Sequence, residues 1–102
     1  MFVYKINPLE ELKKKGWTRT SLQRTIGSDG KRVLGSQTVQ DVADGIVVGI
    51  KSLHRICELL ERQPGDIFEY IPDDKYRVLK ESGYFDKMGI PTPPLESENG
   101  EK

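Results

Sequence analysis

Residues 50–73 read IKSLHRICELLERQPGDIFEYIPD. Ile50, Leu53, Ile56, Cys57, Leu59 and Leu60 recur three and four apart, which gives a helix over about 50–62 a wide apolar face. Gln63-Pro64-Gly65-Asp66 then restarts the chain. Pro64 suits a first helical position, where its missing N–H is not needed, and Asp66 suits the first turn, where the helix dipole favours an anion. The short helix that follows carries Ile67, Phe68 and Ile71, and Pro72 stops it. A wide-faced core helix joined by a tight proline turn to a short one is the frame of a small helical domain.

Upstream, the punctuation is equally regular. Phe2, Tyr4 and Ile6 alternate with Val3 and Lys5, a pattern for a short N-terminal strand or arm. Asn7-Pro8-Leu9-Glu10 supplies a cap, a proline and an acidic third position for a helix over 8–15. Lys13 to Lys15 suit its negative end and Gly16 its left-handed terminus. Thr18 suits the cap of a helix over 19–26, with Leu22 and Ile26 facing inward and Trp17 packed on the core. Gly27-Ser28-Asp29-Gly30-Lys31-Arg32 is turn chemistry, a loop or a tight hairpin-like excursion with a basic shoulder. Gly35 or Ser36 caps a helix over 36–44, whose inner stripe is Val39, Val42 and Ala43, and Gly45 ends it.

Downstream, Asp73 or Asp74 caps one more short helix with Tyr76 and Leu79 on one face and Gly83 at its end. After Met88 the text GIPTPPLESENGEK predicts a disordered tail over 89–102. The fold class is therefore all-α: five helices within 1–72, a possible N-terminal strand, and a helical extension over 73–88. The chain of 102 residues suits one modest core.

Formal net charge is zero, but its distribution is uneven. Residues 1–35 hold eight basic and three acidic groups, a net of +5; residues 36–72 come to −3 and residues 73–102 to −2. A local basic face matters more for a polyanionic partner than the total. A single cysteine, Cys57, excludes an internal disulfide and fits a reducing compartment. No apolar run is long enough to span a membrane, and MFVYKINPLEEL lacks the pattern of a signal peptide. A cytoplasmic protein is expected. One histidine and one cysteine do not build a structural zinc site, and no cofactor is expected. Cys57 is read as core and His54 as a solvated helix residue. Without a glycine-rich phosphate loop, a metal-ligand cluster or a partnered nucleophile, an enzyme is not indicated.

Particular residues carry a resemblance. Lys15-Gly16-Trp17-Thr18, Leu22, Ser36-Gln37-Thr38-Val39 and Gly45 resemble the Cro/repressor-type (XRE-like) helix-turn-helix regulators. Residues 50–60, with Gln63-Pro64-Gly65-Asp66-Ile67 and Glu69-Tyr70-Ile71-Pro72-Asp73, are similar to a short bacterial and phage subgroup of that family. The resemblance covers about residues 6–73. It implies a DNA-binding transcriptional regulator whose third helix enters the major groove of double-stranded DNA. A single module of this size buries too little surface on DNA for high specificity, so a homodimer is expected. Two departures stand out: the link from Gly27 to Gly35 is longer than the family's usual turn, and the third helix has Asp41 and Asp44 but no Lys or Arg.

Under that resemblance the base-contacting candidates are Gln37, Thr38, Gln40 and Asp41. A glutamine amide matches the adenine edge, a threonine methyl the thymine methyl, and an aspartate the amino group of cytosine. Candidates for phosphate contact are Thr18, Arg19, Arg24, Lys31, Arg32, Ser36 and Lys51. Candidates for a dimer face are Phe68, Tyr70, Ile71, Tyr76 and Leu79, with Tyr84 and Phe85; these aromatics serve equally well to close the monomer's own core. The competing reading is a protein-interaction module on the same fold, antitoxin-like or accessory to a mobile element, which the acidic third helix and the 73–102 extension would suit.

Overall fold

Asn7 opens the first helix, α1 (Pro8–Lys14), by accepting the Glu10 amide on its side chain at 3.3 Å. Thr18 opens α2 (Arg19–Arg24) through a reciprocal pair: its hydroxyl accepts from the Ser21 amide (3.0 Å), and its own amide donates to the Ser21 hydroxyl (2.8 Å). α3 (Ser36–Ala43) starts after Gly35 with no side-chain cap, so Ser36 is the first helical residue and not the cap. α4 (Ile50–Leu60) and α5 (Pro64–Ile67) follow. The computed structural model describes residues 1–93.

α2 is two residues shorter than its pattern suggests, and Ile26 is exposed (58%) rather than inward. The reason is a competition for carbonyls. A longer α2 would need the Leu22 carbonyl for the Ile26 amide, but the Leu34 amide takes it (3.0 Å), and the Val33 amide takes that of Thr25 (2.8 Å). α4 likewise stops early, at a left-handed Glu61 (φ 57°).

The chain is not all-α. Phe2–Tyr4 forms β1, and Phe68–Tyr70, expected in the fifth helix, forms an antiparallel β2 in the register Phe2↔Tyr70, Val3↔Glu69, Tyr4↔Phe68. The ladder runs past the strands: Ile71 and Met1 exchange backbone bonds, and the Lys5 amide donates to Ile67 (2.7 Å). Three residues are too few to advertise a strand; the partner across the sheet makes it one.

Val3 and Tyr4 enter a core formed with Leu12, Leu22, Val39, Val42, Leu53, Ile56, Leu60 and Ile67. Trp17 packs against it, half-buried, as its place before the cap suggested. Ile50, expected on the inner face of α4, is 79% exposed, and Cys57 is half-buried at the core margin. The Tyr4 hydroxyl donates to the Ile46 carbonyl at 2.9 Å, and burial pushes its pKa up to about 12. The neutral phenol is thus the folded form. Its contribution is intact below pH 10, the ordinary tyrosine value, and is lost as pH rises towards 12. Alkaline titration should show one tyrosine ionising only near pH 12, together with unfolding, and Tyr4→Phe should remove that late step.

Two helices extend the domain, where one was expected: α6 (Asp73–Glu81) and α7 (Tyr84–Met88), turned by Gly83. Their inner residues Tyr76 and Phe85 join the core, as does Ile71. The chain after Met88 is also packed as far as it is described. Ile90 is buried, the Tyr76 hydroxyl donates to the Pro93 carbonyl (2.9 Å), and Lys80 Nζ donates to Thr92 Oγ1 (2.7 Å). Asn7 also donates to the Gly89 carbonyl (3.1 Å), tying this strap to the start of α1. The predicted disordered tail therefore does not begin at 89; its remainder, 94–102, lies outside the described residues.

Candidate nucleic-acid interface

α2 and α3 pack against each other through Leu22, Val39 and Val42, all buried. This leaves Gln37, Gln40 and Asp44 exposed on α3, with Thr38 and Asp41 half-buried beside them. The polar face is internally bonded. Gln37 Nε2 donates to Asp41 Oδ1 (2.9 Å) and Gln40 Nε2 to Asp44 Oδ1 (3.0 Å), each one helical turn on. Arg19 crosses from α2 and donates to Gln40 Oε1 (3.0 Å). Gln40 thus has both ends of its amide engaged. The Gln37 carbonyl oxygen and its second N–H have no protein partner among the described residues.

The acidic residues of α3 have an account in this arrangement. Asp41 and Asp44 hold the two glutamine amides, and Arg19 supplies the positive charge that α3 lacks. Because α3 has no side-chain cap, the amides at its start remain open donors beside the exposed Ser36. Those donors and the helix dipole suit an anionic backbone.

The long link between α2 and α3 is an ordered hairpin. The Gly27 amide donates to the Lys31 carbonyl (2.7 Å), and Ile26 bridges Arg32 in antiparallel fashion. Asp29 pins the turn: one carboxylate oxygen accepts from the Lys31 amide (3.0 Å) and the other from Arg55 on α4 (2.7 Å). The Lys31 amide first, and the Arg55 side chain second, hold the Asp29 carboxyl below its ordinary pKa. Val33 and Leu34 close the base of the hairpin in the core, so the extra residues bulge outward and leave α2 packed on α3. Lys31 and Arg32 are exposed on the hairpin.

The fold therefore brings Arg19, Gln37, Gln40 and Asp41 together, with Thr18 and Ser36 exposed at the starts of their helices and Arg24 exposed at the end of α2. The Thr18 hydroxyl oxygen accepts in its cap, which leaves its O–H to donate. Lys51 stands elsewhere, exposed on α4 around a shallow depression shared with Ser28, Asp29 and Glu58. Of the residues put forward for a dimer face, Ile71 and Tyr76 are buried in the monomer's own core, as is Phe85; Phe68 and Leu79 are half-buried, and Tyr70 is exposed. Sequence reasoning did not single out Arg55. Asp29 was legible as a turn residue, but nothing in the local pattern points to its partner on α4, 26 residues away.

A pair of packed short helices, the second presenting an exposed polar face, is the unit of the helix-turn-helix DNA-binding proteins. A family model of the Cro/C1-type HTH DNA-binding domain matches residues 9–73, and the chain belongs to that family. This is a family of DNA binding and transcription regulation, not of enzymes. Comparison with curated proteins and with solved structures gives no match. Among the described residues, no helix is long and apolar enough to cross a membrane.

Proposed function

We propose that the protein is a sequence-specific transcriptional regulator that reads the DNA major groove with α3. The observation that supports this most is the polar face itself: exposed Gln37 and Gln40 and half-buried Asp41 stand in one patch, and Arg19 reaches it from α2. Gln37 offers a free acceptor and donor for an adenine edge, Thr38 a methyl for thymine, and Asp41 an acceptor for cytosine, once Gln37 lets it go. Gln40 reads bases by exchanging its Asp44 and Arg19 partners for a base edge. Phosphates are held by Arg19, Arg24, Lys31 and Arg32, with the open amides of α3 and the hydroxyls of Thr18 and Ser36. One module of this size buries only roughly 600–1,000 Å² on DNA, so two copies on a palindromic site are the working form.

Selection from random-sequence duplexes, with affinity followed across a salt series, tests this reading. The expected result is an enriched palindrome whose affinity falls steeply with salt. Arg19→Ala should weaken binding to every sequence and flatten the log–log salt slope by about one phosphate contact. An Arg19→Ala protein with the same salt slope as the parent would remove this residue from the backbone contacts. Absence of both enrichment and salt sensitivity would overturn the DNA-reading proposal.

A further inference from the structure

Of the exposed large apolar side chains among the described residues, Phe2, Ile46 and Ile50 line one hollow and Tyr70 meets Phe2 at its edge, whereas Ile26, Val78, Tyr84 and Met88 do not line it. Ile50 is the summit of this surface, 79% exposed at the first position of α4. It lines the depression beside Lys51 and, together with Leu53, two further hollows. One hollow is walled by Phe2, Ile46 and Phe68, and the other by Cys57, Glu61 and Pro64. A branched apolar side chain held in water beside one apolar hollow and a second whose apolar floor has a charged rim (Glu58, Glu61 and Arg62) is a surface built to be covered.

We infer that this face is where a second copy of the chain docks, with α4 packed antiparallel against α4 of the partner. The inference rests on the dimeric form proposed above and names its interface. What identifies the occupant is self-complementarity, which a two-fold contact requires because the same patch serves both sides. Ile50 and Cys57 are seven residues apart on α4, about 10 Å along the helix. A two-fold axis passing near Leu53 and His54 lays each Ile50 into the Cys57–Pro64 hollow of the other copy. Charge follows the same symmetry. Lys51 is exposed and has no ion pair among the described residues, while Glu58 is exposed one residue beyond Cys57, near His54 (3.8 Å). The axis that seats Ile50 also brings Lys51 of each chain to Glu58 of the other. Phe2 and Tyr70, which meet edge to face at 5.7 Å and are 56% and 63% exposed, widen the contact beyond one short helix. α4 is thus assigned to self-association, and Lys51 with it, leaving the α2–α3 face free for DNA.

Sedimentation equilibrium of the full chain without DNA, over a series from low to high micromolar, tests this contact. The parent should dimerise. Ile50→Glu should weaken the dimer by about tenfold or more, because a carboxylate is then set in the apolar hollow. Its helix content by circular dichroism should be unchanged, since the side chain packs against little in the monomer. Lys51→Glu should also weaken the dimer, and Lys51→Glu with Glu58→Lys should restore it. A parent that stays monomeric throughout, or Ile50→Glu and Lys51→Glu proteins that dimerise like the parent, would overturn the inference. Weakening at Ile50 without restoration by the charge swap would overturn the antiparallel α4 pairing. Salt-sensitive binding of Ile50→Glu to random duplex, measured separately, distinguishes failure of this contact from failure of the DNA-reading proposal.

Discussion

Gly45→Ala is expected to lower the stability of the fold by about 2–4 kcal/mol, against about 1–2 kcal/mol for Gly16→Ala. The two glycines are a matched pair. Each follows a helix in a left-handed conformation, Gly16 with φ 95° after α1 and Gly45 with φ 84° after α3. Each closes the same C-terminal hydrogen-bond pattern: Trp17 donates back to Leu12, and Ile46 back to Asp41. An alanine at either position meets the backbone penalty for a side chain at positive φ. They differ in what surrounds the missing methyl. A Cβ on Gly16 would meet nothing, whereas one on Gly45 would stand directly against the Thr92 backbone.

That collision has no flexible side chain to yield, so the strap over 89–93 must move. Its displacement would expose Ile90 and break the bonds from Tyr76 and Lys80 to Pro93 and Thr92. Thermal unfolding of the two single variants and the parent is the check. Gly45→Ala should fall further than Gly16→Ala, by several degrees for each added kcal/mol in a chain of this size. Equal losses would show that the strap contributes nothing at this point.

Replacing Gln37 and Gln40 together with alanine is expected to erase most of the sequence preference while leaving the fold intact. A good bidentate contact to a base is worth roughly 1–3 kcal/mol of discrimination, so two give roughly 30-fold to ten-thousand-fold between right and wrong sites. Both side chains are exposed, and their protein bonds are to exposed or half-buried groups on the same face or on Arg19, so removal leaves no buried group unpaired. The two should not be equivalent. Gln40 must release both Asp44 and Arg19 to meet a base, while Gln37 keeps one donor and its acceptor free. Gln37→Ala alone should therefore cost more specificity than Gln40→Ala. Alanine at position 40 should also free Arg19 for phosphate and shift part of its effect from specificity to general affinity. Repeating the random-duplex selection with each variant reads this directly; an unchanged preferred sequence in the double variant would remove α3 as the reader.

Much of the helical frame was legible because its signals are local. Asn7-Pro8, Thr18, Gly45 and Pro64 each act on the backbone within a few residues, and each stands at or next to the boundary of an observed helix. The polar face of α3 was legible for the same reason, since helical periodicity alone places Gln37, Gln40 and Asp41 opposite Val39 and Val42. Amphipathic spacing went wrong where an apolar residue sits at the margin of a face. Ile26 and Ile50 fit the inward spacing, yet one is drawn into a hairpin by its bridge to Arg32 and the other is left in water at the first position of α4.

By itself, then, the sequence determined the order of helices α1 to α5, the position at which each begins, the outward side chains of α3 and the family to which residues 9–73 belong. These depend on hydrogen bonds and periodicities that span a few residues. Only the tertiary structure decided the pairing of Phe68–Tyr70 with Phe2–Tyr4, the anchoring of Asp29 by Arg55, the bond from Arg19 to Gln40 and the strap that lies against Gly45. Each of these joins groups 21 to 68 positions apart along the chain. A contact of that span depends on closing a long loop, and it forms only when the rest of the core holds both ends in place.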